Sequence, residues 1–213
     1  MLRPLQFRHI RIRATVPYAY AQYTNTCNIL TGEPSKNAAQ GRYSFGPIAH
    51  LAESSATYVS ENTAVFAVVS SKRNYDSQDS FLPLTVDYRN RHYAYGKIPS
   101  NLQRRERHGT DEEILVSRII DRAIRPLFPK GYVDEVQITV TPHSLDQVID
   151  PVVAAVNATS CALLTSKQPW NGPIGCVRIG LIDGIFVENP SIQEMRRSTL
   201  NCLYAGTSTR SVM

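Results

Sequence analysis

Three segments of the chain carry the apolar patterns of β-strands. Residues 64–70 form a continuous apolar run rich in β-branched side chains, which is typical of a strand buried on both faces. Residues 84–88 form a second, shorter run, and residues 136–141 alternate between apolar and polar side chains, as a half-buried strand does. The pattern therefore predicts strands on both sides of a long segment with a different, helical period.

A long helix is predicted in that intervening segment. Thr110 and Glu113 have the spacing of a capping box, and the acids of this first turn suit the positive end of the helix dipole. Apolar residues then recur at three- and four-residue spacings until Pro126 and Pro129 end the helix. The apolar stripe consists of Ile114, Leu115, Ile119, Ile120, Ala123, Ile124, Leu127 and Phe128.

The rest of the chain predicts a second helix and a hairpin. Pro151 suits the first position of a helix, and the small side chains that follow it would pack closely on a sheet. Residues 177–188 predict a β-hairpin that turns at Asp183-Gly184, and residues 200–205 predict a last strand. This order of elements indicates an α+β fold in which a mixed sheet is backed by helices.

Positive charge is concentrated in two regions of the chain. The net charge is +5, but residues 89–130 alone hold ten Lys and Arg against five acids, and residues 1–40 hold five against one. A basic segment within an otherwise nearly neutral body predicts an anionic partner such as nucleic acid.

Arginines in the basic segment fall into two groups. Arg118, Arg122 and Arg125 share one face of the predicted helix, where pairing with Asp121 and Glu113 would make them an ordinary solvated face. By contrast, the adjacent pair Arg104-Arg105 lies in a polar segment that predicts an exposed loop. Neighbouring guanidinium groups repel each other and suit a polyanion, although ordinary soluble surface is the alternative explanation.

The first 40 residues differ in composition from the rest of the chain. Residues 1–24 carry four arginines, no acid and scattered apolar and hydroxyl side chains, which predicts a mitochondrial transit peptide. The alternative is a basic tail that binds nucleic acid. We therefore predict a leader and linker over residues 1–40 and one folded domain over residues 41–213. No run approaches the ~18 apolar residues of a membrane span.

The cysteines and histidines predict no metal site. The cysteines form no CxxC pair, so neither zinc binding nor a disulfide framework is supported, and we expect small buried hydrophobic residues in a reducing compartment. The histidines are scattered, and only His108 lies near the basic loop. The cysteines are Cys27, Cys161, Cys176 and Cys202.

Several separated motifs resemble the first ribonuclease PH-type core domain of the polynucleotide phosphorylases, and particularly of their mitochondrial forms. The resemblance extends over residues 43–213, and its motifs occur in the family's order. They are Gly96-Lys97-Ile98-Pro99, Arg104-Arg105-Glu106, residues 113–129, and Trp170-Asn171-Gly172-Pro173-Ile174-Gly175.

The resemblance implies an S5-like βαβα fold, a homotrimeric ring and a phosphorolytic 3′-to-5′ exoribonuclease. Such an enzyme uses inorganic phosphate, with Mg²⁺, to release nucleoside diphosphates from single-stranded RNA. In this family the second core domain is the chemical one, and the first lines the RNA path. Full-length members continue beyond the position of Met213, so we expect a truncated core domain and assign no catalytic or metal-binding residue to this chain.

The resemblance also implies which residues contact RNA. Bacterial relatives carry a Phe-Phe-Arg-Arg constriction, and the matching positions here keep the arginines and lose both aromatics. A further departure is Glu61-Asn62-Thr63, where the family usually has Gly-Asp-Thr. The matching positions are Leu102, Gln103, Arg104 and Arg105, and the basic segment adds Arg89, Arg91 and Lys97 to the predicted RNA-binding residues.

Two other functions remain open at this point. The chain could be a non-catalytic RNA-binding ring subunit, similar to the exosome's ribonuclease PH-like members, or an S5-like structural subunit without a role in threading RNA.

Overall fold

The computed structural model describes residues 23–25, 41–46, 48–73, 81–100, 106, 109–146 and 148–213. Its larger sheet has six strands, which are β1 (Tyr23–Asn25), β2 (Gly41–Phe45), β3 (Ser54–Ser60), β4 (Thr63–Lys72), β5 (Leu84–Tyr88) and β6 (Glu135–Ser144). They are ordered β1-β2-β3-β4-β6-β5. All neighbours are antiparallel except β5 and β6, so the sheet is mixed, as predicted.

A smaller antiparallel sheet and three helices complete the described fold. The smaller sheet contains β7 (Gly175–Ile182), β8 (Ile185–Glu188) and β9 (Asn201–Gly206), in the order β8-β7-β9. The helices are α1 (Asp111–Ile124), α2 (Pro151–Thr165) and the short α3 (Ile192–Met195), with 3-10 turns at His92–Tyr95 and Arg125–Leu127. The α+β architecture with helices against a mixed sheet is confirmed, but the separate second sheet was not anticipated.

Helix α2 lies between the two sheets and is buried on almost every side. It packs against β3 and β4 of the larger sheet and against β7 of the smaller one. This position requires small side chains, because two sheets can approach one helix closely only where little volume separates their backbones. Four alanines of α2 have 1% or less of their surface exposed: Ala154, Ala155, Ala158 and Ala162.

Polar side chains join α2 to both layers. The Ser54 hydroxyl of β3 donates to the carbonyl of Ala162 at 2.8 Å. On the opposite side, the Asn157 side chain accepts from the amide of Cys176 at 2.9 Å and donates to its carbonyl at 3.3 Å. These bonds satisfy backbone groups at the start of β7 that would otherwise be buried without a partner.

Helix α1 begins as predicted, and five of the eight residues of the predicted apolar stripe are buried: Ile120, Ala123, Ile124, Leu127 and Phe128. The capping box is present, because the Thr110 hydroxyl accepts from the amide of Glu113 and the Glu113 carboxylate accepts in return from the amide of Thr110. Ile114 and Leu115, predicted as core, are 52% and 58% exposed, whereas Val116 is buried. The reason is that α1 covers only β5 at the sheet edge and touches α2, so the buried stripe is narrow.

The predicted hairpin turn is present, and the cysteines are buried only in part as predicted. The hairpin turn is confirmed, with positive φ angles of 51° at Asp183 and 79° at Gly184, as a two-residue hairpin turn favours. Burial raises the pKa of the Cys161 and Cys176 thiols to about 12, which fits inert interior cysteines. Cys202 is exposed, so the prediction of burial was wrong for this residue on an open strand of the smaller sheet.

We predict that Glu61→Gly stabilises the fold. Glu61 occupies the turn between β3 and β4 with φ of 50°, a left-handed conformation that costs a non-glycine residue about 1–2 kcal/mol. Glycine removes this strain, but it increases the conformational entropy of the unfolded chain, which lowers the free energy of unfolding by about 0.4–1 kcal/mol. We expect a net gain of roughly 0.5–1 kcal/mol in the free energy of unfolding, measured by urea titration. Asn62→Gly is the matched control, because φ is not positive there, and it should destabilise.

A second prediction concerns Asn157→Leu. The leucine keeps the branched shape of the side chain at a larger volume but leaves the amide and carbonyl of the buried Cys176 without a partner. The expected loss is about 2–4 kcal/mol of unfolding free energy. It can be measured through the fluorescence of Trp170, the one tryptophan of the sequence. Thr165→Val, at an exposed residue of the same helix whose hydroxyl bonds to an Ala162 carbonyl that Ser54 also satisfies, should change stability by less than about 0.5 kcal/mol. Equal losses in the two variants would contradict this role of Asn157.

Candidate nucleic-acid interface

The basic segment starts where β5 ends, and its first residues are fixed to two neighbouring elements. The amide of Arg89 donates to the carbonyl of Val140 on β6 at 3.0 Å, which extends the parallel pairing by one residue. The amide of Tyr88 donates to the Ser117 hydroxyl of α1 at 3.0 Å. These contacts place the residues after β5 beside the N-terminus of α1.

The carboxylate of Glu113 joins this segment to the helix. Besides capping α1 through the amide of Thr110 at 2.7 Å, it accepts from the amide of Asn90 at 2.6 Å. Glu113 is 7% exposed and does not pair with a helix arginine, so the predicted pairing was wrong. Backbone amides of the adjoining segment occupy it instead.

Gly109 lies close to two side chains where the chain enters α1. A Cβ atom at Gly109 would lie 2.9 Å from the Nη1 of Arg89 and 3.3 Å from the Oε2 of Glu113, so any other residue would displace one of these groups. Arg89 is also held by Asp87, whose Oδ1 accepts from its Nε at 2.9 Å. Its guanidinium therefore lies at the start of the helix with one of its donors already engaged.

Arg91 and Glu106 form a second fixed point. The Nη1 of Arg91 lies 3.2 Å from both the backbone carbonyl and the Oε2 of Glu106, and the amide of His92 donates to Oε1 at 2.5 Å. Desolvation acts to raise the pKa of Glu106, but the His92 amide and the Arg91 guanidinium outweigh it and lower that pKa. Glu106 directly follows Arg105 in the sequence, so it is an anchor next to the predicted arginine pair.

The 3-10 turn after Arg91 brings Lys97 back beside His92, whose carbonyl accepts from the Lys97 amide at 3.0 Å. The Asn90 side-chain amide donates to the Tyr95 hydroxyl at 2.9 Å, and the turn ends at Gly96, whose φ is 66°. The amide of Leu145 donates to the carbonyl of Ala94 at 2.9 Å, which ties the turn to the connection after β6. Lys97 follows with an exposed side chain.

The structure brings part of the predicted RNA-binding set together. Arg89 and Arg91 lie at the start of α1, each in an ion pair and each about one third exposed, and Lys97 lies beyond the 3-10 turn. The other four predicted residues fall outside the described residues, and their roles stay predictions. They are Leu102, Gln103, Arg104 and Arg105.

The helix arginines separate into one structural residue and two exposed ones. Arg125 pairs with Asp121 at 2.7 Å, as predicted, and its guanidinium also donates to the carbonyls of Leu82 and Leu84 and lies over the Phe81 ring. It therefore fixes the chain before β5 rather than a ligand. Arg118 and Arg122 are exposed on the outer side of α1.

A cleft of about 650 Å³ was missed by the sequence analysis. It adjoins Lys97 and is closed on one side by α3, which lies almost a hundred residues later in the sequence and whose local signal is the Ser191–Glu194 capping box. Only the tertiary fold could reveal it. The lining residues are His92, Tyr95, Lys97, Asp146, Val148, Ile192, Gln193 and Arg196.

The described residues do not fit a divalent cation site. Within the described ranges no group of three or more His, Cys, Asp and Glu side chains could hold a metal ion. The carboxylates of Glu113, Glu106 and Asp146 are instead occupied by backbone amides.

In the same part of the chain, no helix combines the length and the apolar content that crossing a bilayer requires.

Comparison with known proteins places the fold and the family. The family model described as the 3′ exoribonuclease family, domain 1, matches residues 42–169. The chain is 45% identical over 171 residues to "Polyribonucleotide nucleotidyltransferase 2, mitochondrial" of Arabidopsis thaliana and 44% identical over 177 residues to the protein of the same name from Oryza sativa subsp. japonica. Each alignment covers 80% of this chain, which spans 17% and 18% of the lengths of these relatives.

Two solved structures share the fold at low sequence identity. Rice (Oryza sativa) Rrp46 aligns with a TM-score of 0.64 and 14% identity over 84% of this chain and 82% of that one. The Archaeoglobus fulgidus exosome with RNA bound to the active site aligns with a TM-score of 0.60 and 18% identity over 82% and 75%. The ribonuclease PH-like fold is thereby confirmed, and with the match of the family model over most of the folded region, the chain belongs to the 3′ exoribonuclease family through its first domain.

Proposed function

We propose that this chain is part of a mitochondrial polyribonucleotide nucleotidyltransferase, a phosphorolytic 3′-to-5′ exoribonuclease, and that its domain guides single-stranded RNA. The identity of 44–45% to relatives of that name, over 80% of the chain, carries the proposal. The names of these relatives and the arginine-rich, acid-free composition of residues 1–24 support the mitochondrial location.

The arrangement at the start of α1 supports a role in holding a nucleic-acid backbone. Arg89 and Arg91 keep partly exposed guanidinium groups in fixed positions, because Asp87 and Glu106 orient them. A planar guanidinium with free N–H groups can grip a phosphate through two parallel hydrogen bonds. Glu106 anchors the end of the loop that carries Arg104 and Arg105, and we propose that this loop presents both of them to the same strand.

The chemistry of the proposed enzyme is attack of inorganic phosphate on the 3′-terminal phosphodiester, with release of a nucleoside diphosphate. Mg²⁺ would neutralise charge on the transferred phosphoryl group in the whole enzyme. The described residues offer no ligand set that fits this ion. We therefore propose no catalytic residue here and limit this domain to binding and orienting RNA, within a homotrimer.

A second candidate is a non-catalytic RNA-binding ring subunit. The shared fold with a subunit of an RNA-bound archaeal exosome supports it at the level of fold alone. The two candidates differ in whether the assembly that contains this chain releases nucleotides.

The first test uses the purified 213-residue chain with poly(A), Mg²⁺ and inorganic phosphate. We expect salt-dependent RNA binding, because basic side chains should contact phosphates. ADP release that stops when phosphate is omitted would assign catalysis to this chain. Binding without release is the result that both candidates predict for this chain alone, since neither places a catalytic residue in it, and absence of binding would contradict both candidates.

A second test replaces both loop arginines, as Arg104→Ala with Arg105→Ala. Loss of two phosphate contacts should weaken binding similarly for different RNA sequences and reduce the slope of log affinity against log salt by about 1.4, at ~0.7 per contact for single strands. Fluorescence anisotropy between about 50 and 200 mM salt measures both effects.

The matched control for this test is Arg118→Ala with Arg122→Ala. It removes the same charge from the exposed side of α1, away from the anchored segment. An unchanged salt slope in the loop variant, or an equal reduction in both variants, would show that the loop arginines have no specific role.

A further inference from the structure

The cleft beside Lys97 is formed by three elements that are distant in sequence. One wall is the 3-10 turn His92–Tyr95 with Lys97, the floor is the connection after β6, and the other wall is α3 with Arg196. Backbone hydrogen bonds hold the walls together, from Leu145 to Ala94 at 2.9 Å and from Ile192 to Val148 at 3.0 Å. The cleft is therefore an integral part of the fold.

The acid of this cleft is already engaged. Asp146 accepts hydrogen bonds from the Thr63 hydroxyl at 3.0 Å and from the amides of Val148 and Ile149 at 2.9 and 3.2 Å. Desolvation opposes its ionisation, but these donors prevail and lower its pKa. Asp146 thus shapes the floor of the cleft, and its charge is partly offset by the amides that it binds.

The two permanent cations of the cleft are not neutralised in the same way. Within the described part of the chain, Lys97 and Arg196 have no carboxylate partner, and both are exposed. Five other arginines there do have one: Arg89, Arg91, Arg125, Arg178 and Arg197. The cleft therefore contains basic groups whose charge is available to an anion.

Apolar and aromatic surface lies between these cations. Tyr95 lines the cleft with a half-buried ring whose hydroxyl is fixed by the Asn90 amide. Val148 and Ile192 add aliphatic surface that is 49% and 36% exposed. A volume of about 650 Å³ falls within the range of roughly 300–1,000 Å³ that small-molecule sites occupy.

We propose that this cleft binds one nucleotide unit of single-stranded RNA, with Lys97 and Arg196 on its phosphates and the Tyr95 ring stacked on its base. Stacking platforms combined with basic side chains are the usual means of holding single strands without sequence preference. The inference deepens the proposed function, on which it rests, by adding Arg196 and Tyr95 to the RNA path. It extends the basic surface from the start of α1 to the smaller sheet.

The test compares Arg196→Gln with Arg197→Gln. The two variants remove one positive charge from adjacent residues, but Arg197 points toward Asp183, at 4.0 Å, and does not line the cleft. In anisotropy titrations of fluorescent oligo(A), Arg196→Gln should weaken binding about fivefold to tenfold and lower the salt slope by about 0.7. Arg197→Gln should stay within about twofold of the wild type.

Two further variants identify the kind of contact. Arg196→Lys keeps the charge and should restore most of the affinity and the salt slope. Tyr95→Leu should weaken binding with an unchanged salt slope, because a stacking contact releases no counterions. Thermal unfolding checks that each variant is folded before it is titrated. Tyr95→Phe is the control for Tyr95→Leu: it keeps an aromatic ring that can stack on a base, so it should bind like the wild type.

The outcomes separate this inference from the proposed function. If the wild type binds RNA and Arg196→Gln matches Arg197→Gln in affinity and slope, the cleft is not on the RNA path, although the proposed function stands. Equal losses in both variants would indicate a general effect of net charge and also overturn the inference. A wild type that binds no RNA would overturn both.

Discussion

The burial of α2 between two sheets is the constraint on which the rest of this structure depends. A helix covered on one side can place large side chains there and polar ones opposite, whereas α2 has to be small and apolar almost all the way round. Two of its polar side chains bond to backbone groups outside the helix, Asn157 to Cys176 and Ser160 to Ile174, whereas the buried Thr159 donates to a carbonyl of α2 itself. This packing fixes where β7 begins. The smaller sheet in turn positions α3, which lies between β8 and β9 in the chain, beside the cleft.

A second constraint positions the candidate interface: the buried carboxylate of Glu113 needs hydrogen-bond donors. Glu113 can remain buried only if its oxygens are hydrogen-bonded, and the amides of Thr110 and Asn90 supply those bonds. The same bonds hold the end of β5 against the start of α1, where the Arg89 guanidinium lies so close to Gly109 that an added Cβ would displace it. A requirement of stability thus determines the direction in which the basic segment leaves the sheet.

Much of the fold could be predicted from the sequence because several elements carry strong local patterns. The capping box at Thr110, Pro151 at the first turn of α2 and the Asp183-Gly184 turn each depend on neighbouring residues, and all three are present. By contrast, β3 is rich in hydroxyl residues and was missed, since its burial comes from α2. The exposure of Ile114 and Leu115 was equally hidden, because it depends on how little of α1 the sheet covers.

For the candidate site, too, the sequence predicts one part and the fold determines the rest, because the pairing of charges depends on the fold. Sequence alone indicates which segments are basic, but whether an arginine can meet a ligand depends on the acids that folding brings beside it. Arg125 is occupied by Asp121 and by the carbonyls of Leu82 and Leu84, so its position in the basic segment gives it no role in binding. Arg196 lies outside that segment and yet lines a cleft next to Lys97, without a carboxylate partner in the described part of the chain. Because exposed ion pairs weaken the field that an anion meets, the unpaired cations should contribute most to attracting a phosphate backbone. The tertiary distribution of acids therefore decides which part of the positive charge is available to RNA.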